Sequence, residues 1–464
     1  MIVMKFGGSS VESAAAITRV VGHIEACLSR RPAVVVSAMA KTTRQLLAAG
    51  GAAAAGDLAA ARALAAEIRA YHQRESAPVT APGALDGVFE SLFGELDAAL
   101  IEAAEAGALT PRLADRIAGY GELLSSAILA EALRFAGIAA GHVDCRRVLV
   151  TDDRFTRAQP LYDETDARLR EALLPLVDSG RVAVLGGYVG ATRDGVTTTL
   201  GYEGSDFSAA IVGAALAAEE VQIWTDVDGI LTADPNLVPG ARVVPFLSFG
   251  EALELACSGS KKPHPGTLGP ARRKGVPIRV LNSRRPQAPG TLIGPRPEAS
   301  RPAGRPAVKS IACRAHDHLL YALPAPSHAG NGFRPGVFAL CERFQPSLMV
   351  LGATAAGVPL ALDRADRLAE VRAAFGALAE VGELGVVPGR TAVTLVSDDL
   401  ATNRELAERV LAALAELAEI NDFEPRLVLE GVAAPNVRLL VEPEQAGGVV
   451  ARLHEALLEE GPGA

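Results

Sequence analysis

Short runs of apolar, largely β-branched residues recur along the first 295 positions, separated by segments with helical spacing. The clearest runs cover positions 33–37, 181–185, 220–224 and 277–281. Strands that are apolar at nearly every position are typical of a parallel or mixed sheet with helices on both faces. Positions 49–138 are mostly helical in pattern and predict a helical subdomain beside the sheet. Residues 1–295 are therefore predicted to form one α/β domain.

The pattern changes after residue 294. The segment 294–306 contains four prolines and has no apolar periodicity, so residues 296–306 are predicted to be a stiff linker. Beyond it, strands are predicted at 316–323, 347–351, 357–362, 391–396, 424–431 and 436–441, and helices at 332–343, 365–380, 402–420 and 444–459. This order makes two approximate βαββαβ units, the ferredoxin-like arrangement.

The two units are assigned to residues 307–390 and 391–464, and the strand near 307–315 is also a candidate to pair with the second unit. Neither unit contains a cluster of His, Cys or carboxylate residues. We therefore expect paired modules that bind a small effector or a partner subunit, with packing alone as the alternative.

The N-terminal strand ends in a lysine that is followed by a glycine pair, in the sequence Met1-Ile-Val-Met-Lys5-Phe-Gly7-Gly8-Ser9-Ser10. Glycines let backbone N–H groups approach a phosphate, a following helix attracts anions to its N-terminus, and a lysine adds a full charge. An ordinary strand–turn–helix would have the same spacing. However, only six of the 45 basic residues are lysines, so a retained lysine indicates a need for a compact ammonium. Phosphate chemistry is the leading hypothesis.

A second candidate site is the polar turn at 197–206. Two glycines flank this turn, which ends in Ser205-Asp206 at a predicted helix start, and the loop 186–190 is also rich in glycine. Helix capping is the usual explanation for such a Ser-Asp pair. The threonine run at 197–199 and the glycine-rich loop favour a ligand site instead.

Three further segments carry polar groups at element ends. Residues 224–236 contain Thr225-Asp226 and a second Asp-Pro turn at Asp234, which offer hydrogen bonds to a nucleotide and acidic oxygens near magnesium; a hairpin-like turn would look similar. Lys261 lies in a predicted turn at 259–265. Glu122 is placed at a predicted helix start, where an acid also suits the helix dipole without any function. No Walker sequence is present.

Composition narrows the class of protein. The 464 residues are 49% hydrophobic with a net charge of -9, which predicts two to four domains with sizeable cores and argues against a nucleic-acid surface. The sequence shows no secretory leader, with its charged segment followed by an apolar one, and no apolar stretch long enough to span a membrane. A cytoplasmic protein is therefore expected. The five cysteines are scattered, which fits reduced thiols and neither a disulfide frame nor a zinc site.

Taken in order, these segments resemble the aspartate kinases of the amino-acid-kinase superfamily over nearly the whole chain. The matching segments are Lys5–Val11, Ser37–Met39 with Thr43, Gly121-Glu122, Gly201–Asp206, Thr225–Pro235, Lys261 with His264-Pro265, Arg279–Ser283 and Pro289–Ile293. The two C-terminal modules are similar to the ACT domains of such kinases. The resemblance implies an amino-acid-kinase fold, with a mixed, mainly parallel sheet covered by helices, followed by two ferredoxin-like ACT domains.

The resemblance also implies a reaction and a set of partners. Such enzymes transfer the γ-phosphoryl group of ATP, with Mg2+, to the side-chain carboxylate of aspartate, which is the first step of lysine, threonine and methionine biosynthesis. A homodimer or larger homo-oligomer, inhibited by an amino acid such as lysine or threonine, is expected. No protein residue is expected to be a dedicated metal ligand.

By resemblance, each candidate residue has a role. Lys5 and Asp206 are the catalytic pair. Residues expected to contact the nucleotide are Gly7, Gly8, Ser9, Thr225, Asp226, Asp234 and Lys261. Residues expected to bind the amino acid are Thr43, Glu122 and Ser205, with Glu122 holding the ammonium group.

The chain departs from the family pattern at the substrate. Tyr202 stands where the family usually has an arginine that grips a carboxylate, and Leu123 and Gly266 also replace expected arginines. Lys41 and Arg44 flank Thr43, and we expect one of them to supply the missing charge; solvated loop charges are the alternative.

Other functions remain open at this point. A diverged kinase of another amino or carboxylic acid and an amino-acid-sensing pseudokinase are the alternatives. Glutamate and carbamate kinases share the fold, but the ACT pair argues against both. An effector is expected at 327–333, although the small apolar segment 351–357 suits a weakened response.

Overall fold

The first strand, β1 (Ile2–Phe6), is buried over its whole length and lies inside an eight-stranded sheet. The computed structural model describes residues 1–201, 203–260, 264–296, 307–325, 333–344, 347–353, 356–378, 381–400, 402–420, 426–428 and 435–459. The chain forms two compact units. Unit 1 comprises Met1–Ile230, Pro245–Phe249 and Lys262–Arg296, and unit 2 comprises Leu231–Val244, Gly250–Lys261 and Pro297–Ala464.

Unit 1 is built on the large sheet. Its further strands are β2 (Pro32–Val36), β3 (Ala140–Val143), β4 (Val182–Gly186), β5 (Val189–Ala191), β6 (Thr197–Thr199), β7 (Glu220–Thr225), β8 (Phe246–Ser248), β9 (Ile278–Asn282) and β10 (Thr291–Gly294). The sheet order is β3-β4-β2-β1-β7-β9-β10-β8, and β5 and β6 form a separate hairpin. All neighbours in the large sheet are parallel except β9 and β10. The predicted mixed, mainly parallel sheet is confirmed.

Helices connect these strands. They are α1 (Ala14–Ala26), α2 (Thr42–Ala54), α3 (Leu58–Ser76), α4 (Asp86–Ala106), α5 (Pro111–Phe135), α6 (Cys145–Val148), α7 (Tyr162–Asp178), α8 (Gly204–Ala215), α9 (Phe249–Cys257) and α10 (Pro265–Lys274). The helices α2 to α5 fall within or across the predicted helical segment 49–138. None of the helices in the described ranges is long and apolar enough to cross a membrane.

The longest helix, α5, corrects one prediction. Its N-cap residue is Thr110, whose side chain accepts a hydrogen bond from the Leu113 N–H group, and Pro111 is at the first helical position. Glu122 therefore lies in the middle of α5, and its predicted place at a helix start was wrong. Gly121 resembles a helix boundary in sequence, but a Cβ atom there would lie only 2.7 Å from the Ala38 Cβ atom. Close packing of α5 against the β2–α2 loop requires that glycine.

Unit 2 contains two antiparallel sheets. The first is formed by β12 (His318–Pro324), β13 (Leu348–Val350), β14 (Val358–Leu362) and β15 (Val381–Pro388), in the order β13-β14-β12-β15, with α11 (Phe333–Arg343) and α12 (Leu368–Gly376). These elements follow one another as βαββαβ. The strand β15 was missing from the sequence prediction.

The second sheet is formed by β11 (Ser310–Ala315), β16 (Thr391–Val396), β17 (Arg426–Val428) and β18 (Asn436–Val441), with helices α13 (Arg404–Ile420) and α14 (Ala446–His454). Its strand order is β11-β16-β18-β17. The strand β11 pairs with β16 in antiparallel register, with Ser310 opposite Val396. The apolar faces of these elements form a core that includes Val393, Leu439 and Val450.

Candidate active site

A cavity of about 500 Å³ opens in unit 1 beside the carboxyl ends of β1 and β2. Ligands of open α/β sheets bind at this edge because several loops converge there. Fourteen residues line the cavity: Lys5, Gly8, Ser37, Ala38, Ala40, Thr43, Glu122, Thr156, Tyr188, Gly201, Glu203, Gly204, Ser205 and Asp206. Six of the predicted site residues are thus brought together, namely Lys5, Gly8, Thr43, Glu122, Ser205 and Asp206.

Lys5 and Asp206 form a buried ion pair at the cavity. Lys5 lies near the end of β1, between Val35 of β2 and Ile223 of β7 in the sheet register. Its Nζ contacts Asp206 Oδ1, and both side chains are almost fully buried. Removing two charges from water is costly unless they are paired. The pair places a fixed ammonium group at the cavity wall.

The helix α8 brings Asp206 to this position without capping. The residue before α8 is Glu203, which is left-handed with φ of 55° and makes no side-chain cap hydrogen bond. Ser205 and Asp206 lie in the first turn of α8 and not at its N-cap. The capping explanation for the Ser-Asp pair is therefore wrong.

Two glycines let the walls of the cavity come together. A Cβ atom on Gly8 would lie 2.7 Å from the Ala38 carbonyl oxygen, and one on Gly187 would lie 2.7 Å from the Ser205 Cα atom. Both distances are shorter than real side chains tolerate, so the backbone can approach only where no side chain intervenes. Gly7 also lies close, since a Cβ there would be 3.5 Å from Lys5 Nζ.

Glu122 is a buried carboxyl group with one oxygen unsatisfied. Its side chain is 4% exposed, and Oε2 has no hydrogen-bond partner among the described residues. Burial raises the pKa of Glu122 to about 8, against the opposing effects of the Ala38 N–H group and of Lys5. A buried polar atom without a partner costs free energy. A bound cation would satisfy this oxygen, so Glu122 has the properties of a cation-binding group.

Strained backbone is concentrated around the same cavity. Among the described residues, six other than glycine have a positive φ, and four of these line the cavity: Ala40, Thr156, Tyr188 and Glu203. A side chain in this conformation costs of order 1 kcal/mol and persists only where surrounding contacts enforce it. Residues with strained backbone cluster at functional sites. The identity of these four residues does not indicate that their φ is positive.

Asp115 is the contact that enforces part of this strain. It lies on α5, is 1% exposed, and its Oδ2 accepts hydrogen bonds from the N–H groups of Thr156 (2.8 Å) and Thr199 (2.9 Å). The Thr199 hydroxyl donates to Oδ1 at 2.6 Å. Burial nevertheless raises the pKa of Asp115. Asp115 holds the loop before α7 and the strand β6 together beneath the cavity.

The remaining predicted residues are placed elsewhere. Lys41 and Arg44 are exposed and are not among the cavity-lining residues. Ser9 lies in a single 3-10 turn, Gly8–Ser10, directly after β1. Tyr202 and Lys261 lie outside the described residues.

Three further predicted nucleotide residues, Thr225, Asp226 and Asp234, do not line the cavity either. Thr225 ends β7 and is buried, and its Oγ1 donates a hydrogen bond to Asp226 Oδ1 at 3.1 Å. Asp234 belongs to unit 2, where its Oδ1 accepts a hydrogen bond from the Asn236 backbone N–H group at 2.9 Å. No group of three or more His, Cys, Asp or Glu residues in the described ranges has the geometry of a metal centre.

Thr156 in the cavity lining and Asp115 beneath it were missed from the sequence, whereas Tyr188 and Glu203 lie in the segments 186–190 and 197–206 that were predicted as a ligand site without a role for either residue. Thr156, Tyr188 and Glu203 reach the cavity through left-handed backbone, which a non-glycine residue does not indicate in the sequence. Asp115 does carry a signal, because it is a lone acid on the largely apolar stretch that precedes Glu122.

Comparison with known proteins identifies similar chains. The model of the amino acid kinase family matches residues 1–282. Lysine-sensitive aspartokinase 3 of Escherichia coli (strain K12) is 31% identical over 465 residues, covering 99% of both chains. Aspartokinase 2, chloroplastic, of Arabidopsis thaliana is 31% identical over 472 residues, covering 99% of this chain and 85% of its own.

Solved structures give the same result. The crystal structure of E. coli aspartokinase III in complex with aspartate and ADP (R-state) matches 99% of this chain and 100% of its own, with a TM-score of 0.80 and 31% identity. The complex of that enzyme with lysine and aspartate (T-state) matches 99% of each chain with a TM-score of 0.78 and 31% identity.

Proposed function

This chain belongs to the amino acid kinase family and, within it, to the aspartokinases, and on that premise we propose that it transfers the γ-phosphoryl group of ATP to the side-chain carboxylate of L-aspartate. The products are 4-phospho-L-aspartate and ADP. One observation supports this proposal most directly: the buried Lys5–Asp206 pair and the half-satisfied Glu122 carboxyl lie on one cavity.

The reaction needs charge neutralisation and alignment. A carboxylate oxygen of the substrate attacks the γ-phosphorus, the bond from that phosphorus to the β,γ-bridging oxygen breaks, and ADP leaves with the electron pair. No proton moves in this step, because the substrate carboxylate is already ionised at neutral pH. The attacking and leaving groups are both anionic, so the protein contributes through positioning and electrostatic stabilisation.

Lys5 is the residue that neutralises the transferring group in this proposal. Its ammonium is held by Asp206 and cannot swing into solvent without breaking a buried ion pair. Backbone N–H groups of Gly8 and Ser9 would bind phosphate oxygens at the turn after β1, whereas the predicted Gly7 N–H group donates to the Trp224 carbonyl oxygen at 3.3 Å. A preorganised cation in a buried site is worth more than one in water because little reorganisation is needed.

The oxygen ligands that Mg2+ prefers are present where Asp206 lines the cavity. The Asp206 carboxylate is a hard oxygen ligand, and Mg2+ is commonly held by one or two carboxylates together with substrate phosphates. When bound, Mg2+ supplies positive charge to the phosphate oxygens. Thr225, Asp226, Asp234 and Lys261 are proposed to hold the nucleotide.

Glu122 is proposed to hold the substrate ammonium, with Thr43 and Ser205 donating hydroxyl hydrogen bonds to its carboxylates. Burial raises the pKa of Glu122 to about 8, so its carboxyl group is protonated at neutral pH before substrate binds. An ammonium placed against Glu122 favours the ionised form, so substrate binding releases this proton. Lys41 and Arg44 remain a proposal for an additional positive charge, to be tested by Lys41→Ala and Arg44→Ala.

The test is acyl-phosphate formation by the full chain with ATP and magnesium, trapped as a hydroxamate with hydroxylamine. Aspartate, glutamate and related acids are compared at equal concentration. Turnover confined to aspartate is the expected result. Turnover on another acid and not on aspartate would overturn the proposed substrate, and no turnover on any acid would favour the sensing alternative.

We also propose that lysine regulates the enzyme through the two C-terminal modules. The support is the E. coli relative, which is named lysine-sensitive and is solved with lysine and aspartate. The predicted effector segment 327–333 lies outside the described residues except for Phe333. Assay of the full chain with each amino acid added singly should show inhibition by lysine; equal rates with all of them would contradict regulation.

Assembly and location are further proposals. A homodimer or larger homo-oligomer formed through the C-terminal modules is proposed, and light scattering of the purified chain measures it. A monomer at working concentration would contradict it. The cytoplasmic location stays a prediction.

A further inference from the structure

The cavity has too little positive charge for the substrate proposed above. Among the described lining residues it holds one cationic side chain, Lys5, and three acidic side chains, Glu122, Glu203 and Asp206. Lys5 is already paired with Asp206. An amino acid with two carboxylates therefore needs another cation at the rim, because neutral hydroxyl groups alone bind a carboxylate weakly.

The turn that forms one wall of the cavity does not contain that cation. Its sequence from residue 201 to 206 is Gly-Tyr-Glu-Gly-Ser-Asp, with no basic residue. The adjoining loop does contain one. Arg157 directly follows Thr156, a residue that lines the cavity, and a Cβ atom on Gly201 would lie 3.7 Å from both the Cα and the Cβ of Arg157.

Gly201 leaves space for the Arg157 side chain. Its φ of 84° favours glycine, so no side chain stands between Arg157 and the turn. Arg157 is exposed and has no ion pair or side-chain hydrogen bond among the described residues. By contrast, Arg154 of the same loop has its Nε 3.3 Å from Asp152 Oδ2.

The backbone that carries Arg157 is fixed on both sides. The Thr156 N–H group donates to Asp115, and the Ala158 N–H group donates to the Thr199 carbonyl oxygen at 2.9 Å. The Gln159 N–H group donates to Asp152 Oδ1 at 2.8 Å. A guanidinium on a fixed loop loses little backbone freedom when it binds, and its planar fork matches a carboxylate.

We propose that Arg157 binds a carboxylate of the amino-acid substrate across the gap at Gly201, as the specificity-determining cation of this cavity. This inference rests on the proposed aspartate kinase activity and deepens it. It places the charge beside the turn that carries Ser205 and not on the loop of Lys41 and Arg44.

The experiment measures initial rates of the full chain at saturating ATP with varied aspartate. Arg157→Ala should raise the KM for aspartate about ten- to a hundredfold, the range for a lost hydrogen bond to a charged group. kcat and the KM for ATP should change less than about twofold, because the contact is the same in the ground and transition states. Arg157→Lys should recover part of the loss, since it keeps the charge but not the fork.

Arg154→Ala is the matched control, since it removes an exposed arginine from the same loop and should leave the KM for aspartate unchanged. An unchanged KM in Arg157→Ala would overturn the inference, as would an increase confined to Lys41→Ala or Arg44→Ala.

The activity of the unmodified chain distinguishes a failure of the proposed aspartate kinase function from a failure of the inference about Arg157. If it turns over no aspartate, calorimetric binding of aspartate to the unmodified chain and to Arg157→Ala decides the inference separately. Weaker binding by the variant supports it, and equal binding or no binding by either overturns it.

Discussion

Two buried acids, Glu251 in unit 2 and Glu122 in unit 1, differ in whether the protein supplies their hydrogen-bond partners. In unit 2, Glu251 is fully buried, and it accepts hydrogen bonds from Lys309 Nζ at 2.6 Å and from the Asp398 N–H group at 2.8 Å. Glu254 accepts one from Arg438 at 2.8 Å. In unit 1, Glu122 is equally buried, yet one of its oxygens has no partner among the described residues.

The electrostatics of the two regions differ accordingly. Burial acts to raise the pKa of Asp363 in unit 2, but hydrogen bonds from His316 and Arg314 outweigh it and hold the pKa below its usual value. For Glu122, burial prevails and the pKa rises to about 8. An acid that is satisfied by its own chain contributes to stability. A buried carboxyl group with an unsatisfied oxygen can instead be paired by a cationic group of a bound ligand.

The largest expected effect is on Lys5, the single cation in the described lining of the cavity. Lys5→Ala should lower kcat by about 10²–10³-fold or more, because it removes a preorganised charge from the transferring phosphoryl group. Lys5→Arg should not restore the rate, since a planar fork does not replace a compact ammonium. Activity is measured by hydroxamate formation, and folding by circular dichroism.

The control is Lys274→Ala, which removes an exposed lysine at the end of α10. It should keep full activity. A rate for Lys5→Ala within tenfold of the unmodified chain would show that the buried ion pair is structural only.

Removing the basic partner of an acid in unit 2 should lower the stability of the protein without lowering its catalytic activity. Arg438→Met leaves Glu254, which is only 16% exposed, without its cationic partner and should destabilise the unfolding transition that reports on unit 2 by about 3 kcal/mol. Urea denaturation of the full chain measures this change. Activity per folded molecule should change less than twofold.

Arg404→Met is the matched control, because Arg404 is 89% exposed in its ion pair with Glu408. Exposed helical pairs of this kind contribute about 0.3–0.5 kcal/mol. Equal effects of the two substitutions would contradict the distinction between buried and exposed pairs.

The incomplete acid should make the protein sensitive to pH. Glutamate loses its proton near pH 4.5 when unfolded, whereas Glu122 holds it to about 8 when folded. The folded state thus binds more protons between these values, so stability falls as the pH rises through this window. In the same window, the KM for aspartate should fall about tenfold per pH unit up to about pH 8, because the ammonium binds ionised Glu122.

Glu122→Gln tests the pH dependence of both the stability and the KM for aspartate, because a glutamine side chain cannot ionise. Thermal unfolding and KM measured from pH 5.5 to 8.5 should lose the wild-type dependence in this variant, whose KM should be high throughout. An unchanged slope would assign the titration to another group.

The smallest effect is expected at Asp115, a buried acid of unit 1 that its own chain does satisfy. Asp115→Asn replaces an acceptor and should cost about 1–3 kcal/mol as N–H groups lose their partner. The KM for aspartate should rise severalfold because the loop of Thr156 relaxes. Asp97→Asn, at an exposed ion pair with Arg62, is the control and should change neither quantity measurably.

Sequence patterns predicted the elements that are buried or that end in distinctive residues. Continuous apolar runs located β2, β4, β7 and β9, and the Lys-Phe-Gly-Gly segment located the cavity. The strand β15 was missed because Gly382 and Gly385 interrupt it and its side chains are half-exposed, so it has neither an apolar run nor an alternation.

The interior of the site was harder to predict because tertiary contacts decide it. Glu122 was misplaced within its helix since Gly119 and Gly121 look like a boundary, whereas they allow close packing by α5. The left-handed backbone of Thr156 depends on Asp115, 41 positions earlier. No local signal reports such a contact.

The division of the chain between the two units has a consequence for biosynthesis. Thr232 belongs to unit 2, and its hydroxyl is 2.9 Å from Nε2 of His454, 222 positions later. A ribosome that adds about 5–20 residues per second makes this second residue about 10–45 s after the first. During that interval the segment 231–244 emerges without its C-terminal partners, so a nascent chain must wait, with Leu237 and Val238 uncovered, until translation is almost finished.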